Sequence, residues 1–225
     1  QEFESYQMFQ KKIGECDEQL QRHYETMATK ADPDLLAKVA RDKRAKGNIP
    51  AGFDLRDELY RTVGVDLTAI DGINVLTAQT ILAELGGNVS SFATESHFVA
   101  YLGLSPNNQI SGGKVVGRDK RKTKNRAGVA LRLAAGTLLQ SDTYLGAEYP
   151  RLRTKLGAPK ARKAMADKLA RIIYRMLKFG EAYVDKGTEF YEHHYRSQQI
   201  RFLAKKASDS DRNLFIPHSF SSGFL

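Results

Sequence analysis

A serine in a polar, glycine-rich stretch is the residue of this chain with the clearest chemical potential. Gln109-Ile110-Ser111-Gly112-Gly113-Lys114 offers a hydroxyl beside flexible backbone, and Lys114, Arg118, Lys120, Arg121, Lys122, Lys124 and Arg126 follow within a few turns of chain. A serine hydroxyl is a poor nucleophile until a base or a metal assists it, and attack on a phosphodiester develops negative charge that cations stabilise. The stretch supplies the cations and no base. It does not fit the G-x-S-x-G elbow of acyl hydrolases, because Gln109 stands where the first glycine belongs. A glycine-flanked serine is also an ordinary loop residue, and the residue types alone favour that plainer reading.

Other chemistries find less. Within the basic segment the carboxylates are Asp119, Asp142, Glu148 and Asp167, scattered without a cluster that could hold two metals. His193-His194 is an adjacent pair rather than a ligand set. The single cysteine, Cys16, excludes an internal disulfide framework and a cysteine-based zinc site, and fits a reducing compartment. No run approaches the ~20 consecutive apolar residues of a bilayer span. The first residue is Gln1, not Met; the expectation is a segment of a longer protein.

The elements that must position Ser111 are mainly helical. The 225 residues carry a formal charge of +9, unevenly placed. Residues 1–110 hold 11 basic and 16 acidic side chains, residues 111–178 hold 18 and 4, and residues 179–225 balance. The middle segment is built to meet a polyanion. Tyr6, Ile13, Leu20 and Met27, with Phe9, Cys16 and His23, recur at heptad spacing and predict an amino-terminal helix of about four heptads, able to form a coiled coil or to pack on its own domain. Asp32-Pro33 predicts the start of a second helix bearing Leu35, Leu36 and Val39. Thr94 to Leu102, Arg126 to Gln140 and Pro159 to Lys186 predict further helices. Tyr183 to Leu203 continues as helix with a break near Gly187. Ser105 to Gly117 cannot hold a helix and predicts a loop or short hairpin.

Between Leu67 and Leu85 a glycine turn, Asp71-Gly72-Ile73-Asn74, separates two short apolar-periodic segments, with Gly86-Gly87 as the stop. This resembles a helix-hairpin-helix, whose turn offers backbone N–H groups to a phosphate. Asn74 stands where the usual hairpin has a second glycine, and asparagine tolerates left-handed angles better than most residues. Packing and DNA contact are equally open for this turn.

The succession Leu67 to Leu85, Ala100-Tyr101-Leu102-Gly103-Leu104-Ser105-Pro106, Ser111-Gly112-Gly113-Lys114, Thr123-Lys124 and Leu131-Arg132 resembles a known domain. It is similar to the carboxy-terminal transposase domain of the insertion-sequence family numbered one hundred and ten, which includes the pilin-gene inverting and bridge-RNA-guided recombinases. The resemblance runs from Asp66 to Tyr183; residues 1–60 resemble its preceding coiled-coil linker only loosely. The family's hairpin reads Pro-Gly-Ile-Gly, so Asp71 and Asn74 depart from it. The resemblance implies that Ser111 is the nucleophile that links covalently to DNA. It also implies a RuvC-like amino-terminal domain whose four acidic residues bind magnesium, to which nothing in this chain corresponds.

The resulting expectation is a mainly α chain: a helical linker over 1–60, a serine-bearing transposase domain over 61–205 and an extended or disordered tail over 206–225. Ser111 is the expected catalytic residue. Gly72, Asn74, Lys114, Arg118, Lys120, Arg121, Lys122, Lys124 and Arg126 are the expected nucleic-acid-binding residues. No metal or cofactor is expected within the chain, with magnesium in the upstream domain. The partners implied are DNA, a guide RNA and further copies of the chain, as a dimer or a recombining tetramer, with no membrane, in the bacterial or archaeal cytoplasm at the nucleoid. The chain alone is expected to be an inactive piece of a recombinase. Two other readings stand beside it: a noncatalytic helix-hairpin-helix nucleic-acid-binding module, and an oligomerisation scaffold driven by the heptads.

Overall fold

The structure is a computed structural model that describes residues 1–36, 49–50, 52–86, 89–105, 108–118 and 125–214. Its elements in chain order are α1 (Glu2–Glu25), α2 (Leu55–Val63), α3 (Val75–Leu85), α4 (Glu95–Tyr101), β1 (Asn108–Ser111), β2 (Lys114–Arg118), α5 (Arg126–Thr137), α6 (Tyr144–Leu156), α7 (Ala158–Phe179) and α8 (Gly187–Leu214). Single 3-10 turns at Pro33–Leu35, Leu67–Ala69 and Leu138–Gln140 complete the described set. The fold is mainly α, with one two-stranded antiparallel sheet among the described residues.

Helix α7 organises the body. Ala161, Met165, Leu169, Ala170 and Ile173 recur at helical spacing and are fully buried. They pack against α4, α5 and α6. Around them Phe98, Leu102, Leu104, Leu131 and Leu138 close the core, and Leu55, Ile70 and Ile81 extend it under α2 and α3. The small residues of α7 let its neighbours approach closely. Phe98 fills the space over Phe92 and Tyr174, with ring centroids 5.3 and 5.5 Å away.

Short polar residues start these helices. Asp54, Asn74, Thr94, Asn125 and Thr143 each accept a hydrogen bond from a backbone N–H of the first turn. The glycine after α7, Gly180, takes the left-handed angle that closes the helix (φ 69°).

Several boundaries differ from the sequence expectation. Helix α1 ends at Glu25, so Met27 lies beyond it. Its heptad residues Tyr6, Phe9 and Ile13 are more than half exposed, while Tyr24 is buried against the domain. Asp32-Pro33 starts only the 3-10 turn, because Leu36 is already extended (ψ 125°); Val39 lies outside the described residues. Helix α7 stops at Phe179 rather than Lys186, and residues 181–186 are not helical. Helix α8 carries helical structure through Leu214, into the segment expected to be an extended tail. Helix α6 was not expected at all, since Pro150 sits in its interior.

Candidate nucleic-acid interface

Ser111 ends β1 and Lys114 begins β2. Between them Gly112 and Gly113 both adopt left-handed angles (φ 55° and 74°), the pattern of a two-residue hairpin turn that only glycine or asparagine adopts readily. A Cβ at either glycine would meet nothing within 4 Å, so it is the backbone angle that demands glycine there. The register pairs Ser111 directly with Lys114. Residues so opposed share one face of the ribbon, with Cβ atoms about 5 Å apart, which puts the hydroxyl within reach of the Lys114 side chain. Both residues are exposed, and among the described residues none hydrogen-bonds the Ser111 hydroxyl.

The ribbon pairs chiefly with itself and projects from the helices. A bulge twists it: Gln109 pairs with Gly117 and Ile110 with Val115, leaving Val116 as the extra residue, 66% exposed. Its roots are fixed firmly. At the entry, Leu102 and Leu104 are buried, and the Lys163 ammonium donates to the Ser105 carbonyl at 3.0 Å. At the exit, the buried Asn125 caps α5, its Oδ1 accepting from the Gly128 N–H at 2.9 Å. Gly128 joins the two roots, for a Cβ there would lie 2.2 Å from the Leu102 carbonyl oxygen. Asn125, Gly128 and Lys163 were not singled out in the sequence; an asparagine one residue before a helical pattern was the available signal for the first.

The other expected contact residues divide. Arg126 is 85% exposed beside the exit, 3.7 Å from the Glu84 carboxylate of α3. Arg118 closes β2. Lys120, Arg121, Lys122 and Lys124 lie outside the described residues. Gly72 and Asn74 sit apart from the ribbon, in the turn before α3. Gly72 is left-handed (φ 80°), and a side chain there would run into the Ala134 carbonyl (2.8 Å) and the Thr137 hydroxyl (3.0 Å). Asn74 is extended (φ −90°), not left-handed, because its Oδ1 caps α3 by accepting from the Thr77 N–H at 2.8 Å. The segment before this turn is a single 3-10 turn rather than a full helix.

Much of the basic charge of α7 faces inward partners. Arg175 and Arg171 reach the Glu95 carboxylate at 2.5 and 3.4 Å. The Arg175 guanidinium, with Arg171 beside it, holds the Glu95 carboxyl below its ordinary range. Lys178 donates to the Phe92 and Ala93 carbonyls at 3.3 and 3.1 Å. Asp71, in the Gly72 turn, has its carboxyl pushed up by burial and by the nearby Asp185 charge.

Residues 66–150 match the family model described as Transposase IS116/IS110/IS902 family. That segment is similar to the transposase domains of this family. No curated protein matches the chain. The match begins at the residue expected from the motifs, Asp66, and ends at Pro150 rather than near Tyr183. It takes in the Gly72 turn, the whole Ser111 ribbon and α5. The match supports a DNA transposase or recombinase role, which implies DNA as a partner. Among the described residues no group of three His, Cys, Asp or Glu side chains could hold a metal; the magnesium that the resemblance implies belongs to the upstream domain. Among them, too, no helix is long and apolar enough to cross a membrane.

Proposed function

We propose that this transposase domain cleaves and rejoins DNA through Ser111. The observation that carries the reading is the placement of Ser111 at an exposed ribbon tip, directly opposite Lys114, on rigid roots, inside the segment matched to transposases. In the reaction the Ser111 Oγ attacks a backbone phosphorus and an Oγ–P bond forms. The P–O bond to one DNA strand end breaks, and that oxygen leaves as a hydroxyl. The serine proton passes to a base outside the ribbon, since the ribbon holds none, and an acid outside the ribbon gives a proton to the leaving oxygen. The phosphoserine ester keeps the energy of the phosphodiester, so that a hydroxyl of a second strand can reverse the step without an external energy source. Lys114 stabilises the charge that develops on the phosphate, and Arg118, Lys120, Arg121, Lys122, Lys124 and Arg126 hold strand phosphates. A tip that extends this far from its own domain suits a composite site, in which a RuvC-like domain and another copy of the chain bring the acidic groups, and a guide RNA selects the target.

The noncatalytic alternative rests on Gly72 and Asn74. Their turn packs toward α5 and caps α3, which leaves that reading less support.

The test is adduct trapping in the full-length parent protein, denatured from cells in which it recombines DNA and digested with nuclease and protease. A nucleotide mass on the Ser111 peptide is expected, and the adduct and recombination are both expected to vanish in Ser111→Ala. Recombination by the Ser111→Ala protein would overturn the proposal.

A further inference from the structure

A trough of about 600 Å³ lies between α6, α7 and α8, outside the matched transposase segment for most of its wall. Its volume is in the range of sites that enclose small organic groups. Arg151, Lys155 and Lys168 bring three cations to it; Lys168 is paired with Glu148 and Arg151 with Glu192 at 3.3 Å, which leaves Lys155 for a phosphate. The Arg151 guanidinium lies over two of its rings, 5.0 Å from the centroid of Tyr191 and 4.4 Å from that of Tyr195. Those rings are stacked along α8, 6.1 Å apart and 22° from parallel. Tyr191 is buried, and Tyr195 is partly buried and lines the trough.

Two polar atoms at this wall are buried and lack a hydrogen-bond partner among the described residues: Oε2 of Glu148 and Nη1 of Arg151. A buried acceptor and a buried donor left unpaired each carry a desolvation cost. They stand one helical turn apart on α6. Aromatic surface beside cations is the arrangement that holds unpaired nucleotides, by stacking the base and neutralising the phosphate. A duplex offers neither an open base face nor a free base edge to a recess of this kind.

We infer that the α6–α8 trough binds an unpaired nucleotide of a single-stranded nucleic acid. The base stacks on Tyr195, and its phosphate lies at Lys155. This site is separate from the Ser111 ribbon and gives the chain a place to hold a strand end, a loop or a displaced strand while the ribbon acts elsewhere.

The test uses the full chain with fluorescein-labelled twelve-nucleotide single strands of DNA and of RNA and the matching duplex, followed by fluorescence anisotropy at fixed salt. Tyr195→Ala is expected to weaken single-strand binding about tenfold, the worth of one stacked base, and to leave duplex binding within about twofold. Tyr195→Phe keeps the stacking surface and is expected to bind normally, which separates a lost ring from a lost fold. Ser111→Ala is expected to bind single strands like the unaltered chain, so this result is independent of the recombinase chemistry. Tighter binding of the DNA or of the RNA strand identifies the source. An unchanged affinity in Tyr195→Ala would overturn the inference, and so would displacement of the strands by poly-glutamate at equal charge, which reports attraction to charge alone.

Discussion

Replacing Gly128 by alanine tests whether the roots of the Ser111 ribbon are as tightly joined as their packing implies. Two effects oppose each other. In a helix interior alanine is favoured over glycine by about 1 kcal/mol. The new Cβ, however, would lie 2.2 Å from the Leu102 carbonyl oxygen and 3.2 Å from its carbon, more than 1 Å inside ordinary contact. That carbonyl has little room to turn. Leu102 is fully buried, and the next two N–H groups are tied back to α4, Gly103 to Ala100 at 3.0 Å and Leu104 to Val99 at 3.1 Å. The start of α5 must therefore retreat, which strains the cap that Asn125 makes to the Gly128 N–H. Overpacking of this kind costs about 1–3 kcal/mol and a weakened cap about 1 kcal/mol, so that after the propensity gain the net loss is about 1–3 kcal/mol. For a chain of this size that lowers the melting temperature by roughly 2–12 °C. Gly136 supplies the control on the same helix: its nearest neighbour would be the Arg162 Nε at 3.7 Å, an ordinary contact. Gly136→Ala should therefore keep the propensity gain and melt about 2–4 °C higher. Thermal unfolding of the full chain followed by circular dichroism reads both. A Gly128→Ala protein that melts at or above the unaltered chain would refute the packing argument.

Three further outcomes are expected. Asn125→Ala removes the buried α5 cap and should destabilise the chain by about 1–2 kcal/mol, with Asn125→Ser recovering much of the loss; denaturant unfolding measures both, and equal stability of Asn125→Ala would remove the cap from the account. Asp71 has its folded pKa raised by burial, so the unaltered chain loses stability as pH rises through that value. Asp71→Asn should accordingly melt higher than the unaltered chain near neutral pH and no higher at about pH 3, below the ordinary carboxylate range. Glu95 has the opposite sign: its folded pKa is depressed by Arg175, so its contribution is present above the ordinary carboxylate range and is lost as pH falls through the folded value. Glu95→Gln should therefore narrow the difference between the melting temperatures near neutral pH and in acid, and an unchanged difference would show that the Arg175 pair does not stabilise the fold.

Which parts of this architecture the sequence discloses follows from where the determining information lies. Helix α7 is legible because Ala161, Met165, Leu169 and Ile173 fall on one stripe, and the ribbon is legible because two consecutive glycines after Ser111 leave few alternatives to a tight turn. Helix α6 is hidden because Pro150 argues against it locally. What overrides Pro150 is packing along α7 and α8, and this includes a Gly146 so close to the preceding turn that a Cβ would meet the Ser141 carbonyl at 1.8 Å. The break after α7 falls earlier than the periodicity suggests for a similar reason. Asp185 accepts from the Tyr144 N–H at 3.1 Å, which holds the 181–186 segment across the start of α6 instead of letting it coil. These are long-range contacts, and no local pattern contains them.

The same distinction changes how the basic segment should be understood. As a sum, the charge of residues 111–178 suggests a continuous cationic face. In the fold, Arg171, Arg175 and Lys178 are committed to α4 and the loop before it, Lys163 to the Ser105 carbonyl, and Lys168 to Glu148. Cations held this way lock the body together and leave less of the field available to a strand. The exposed positive charge that remains in the described part of the ribbon region is at Lys114 and Arg126, at the tip and the root of the element that carries Ser111. Arg153, Lys155, Lys160 and Arg162 are exposed as well, away from the ribbon; because Arg175 is held by Glu95, salt-dependent DNA affinity should fall more on removing Lys114 than on removing Arg175, although both residues contribute equally to the net charge.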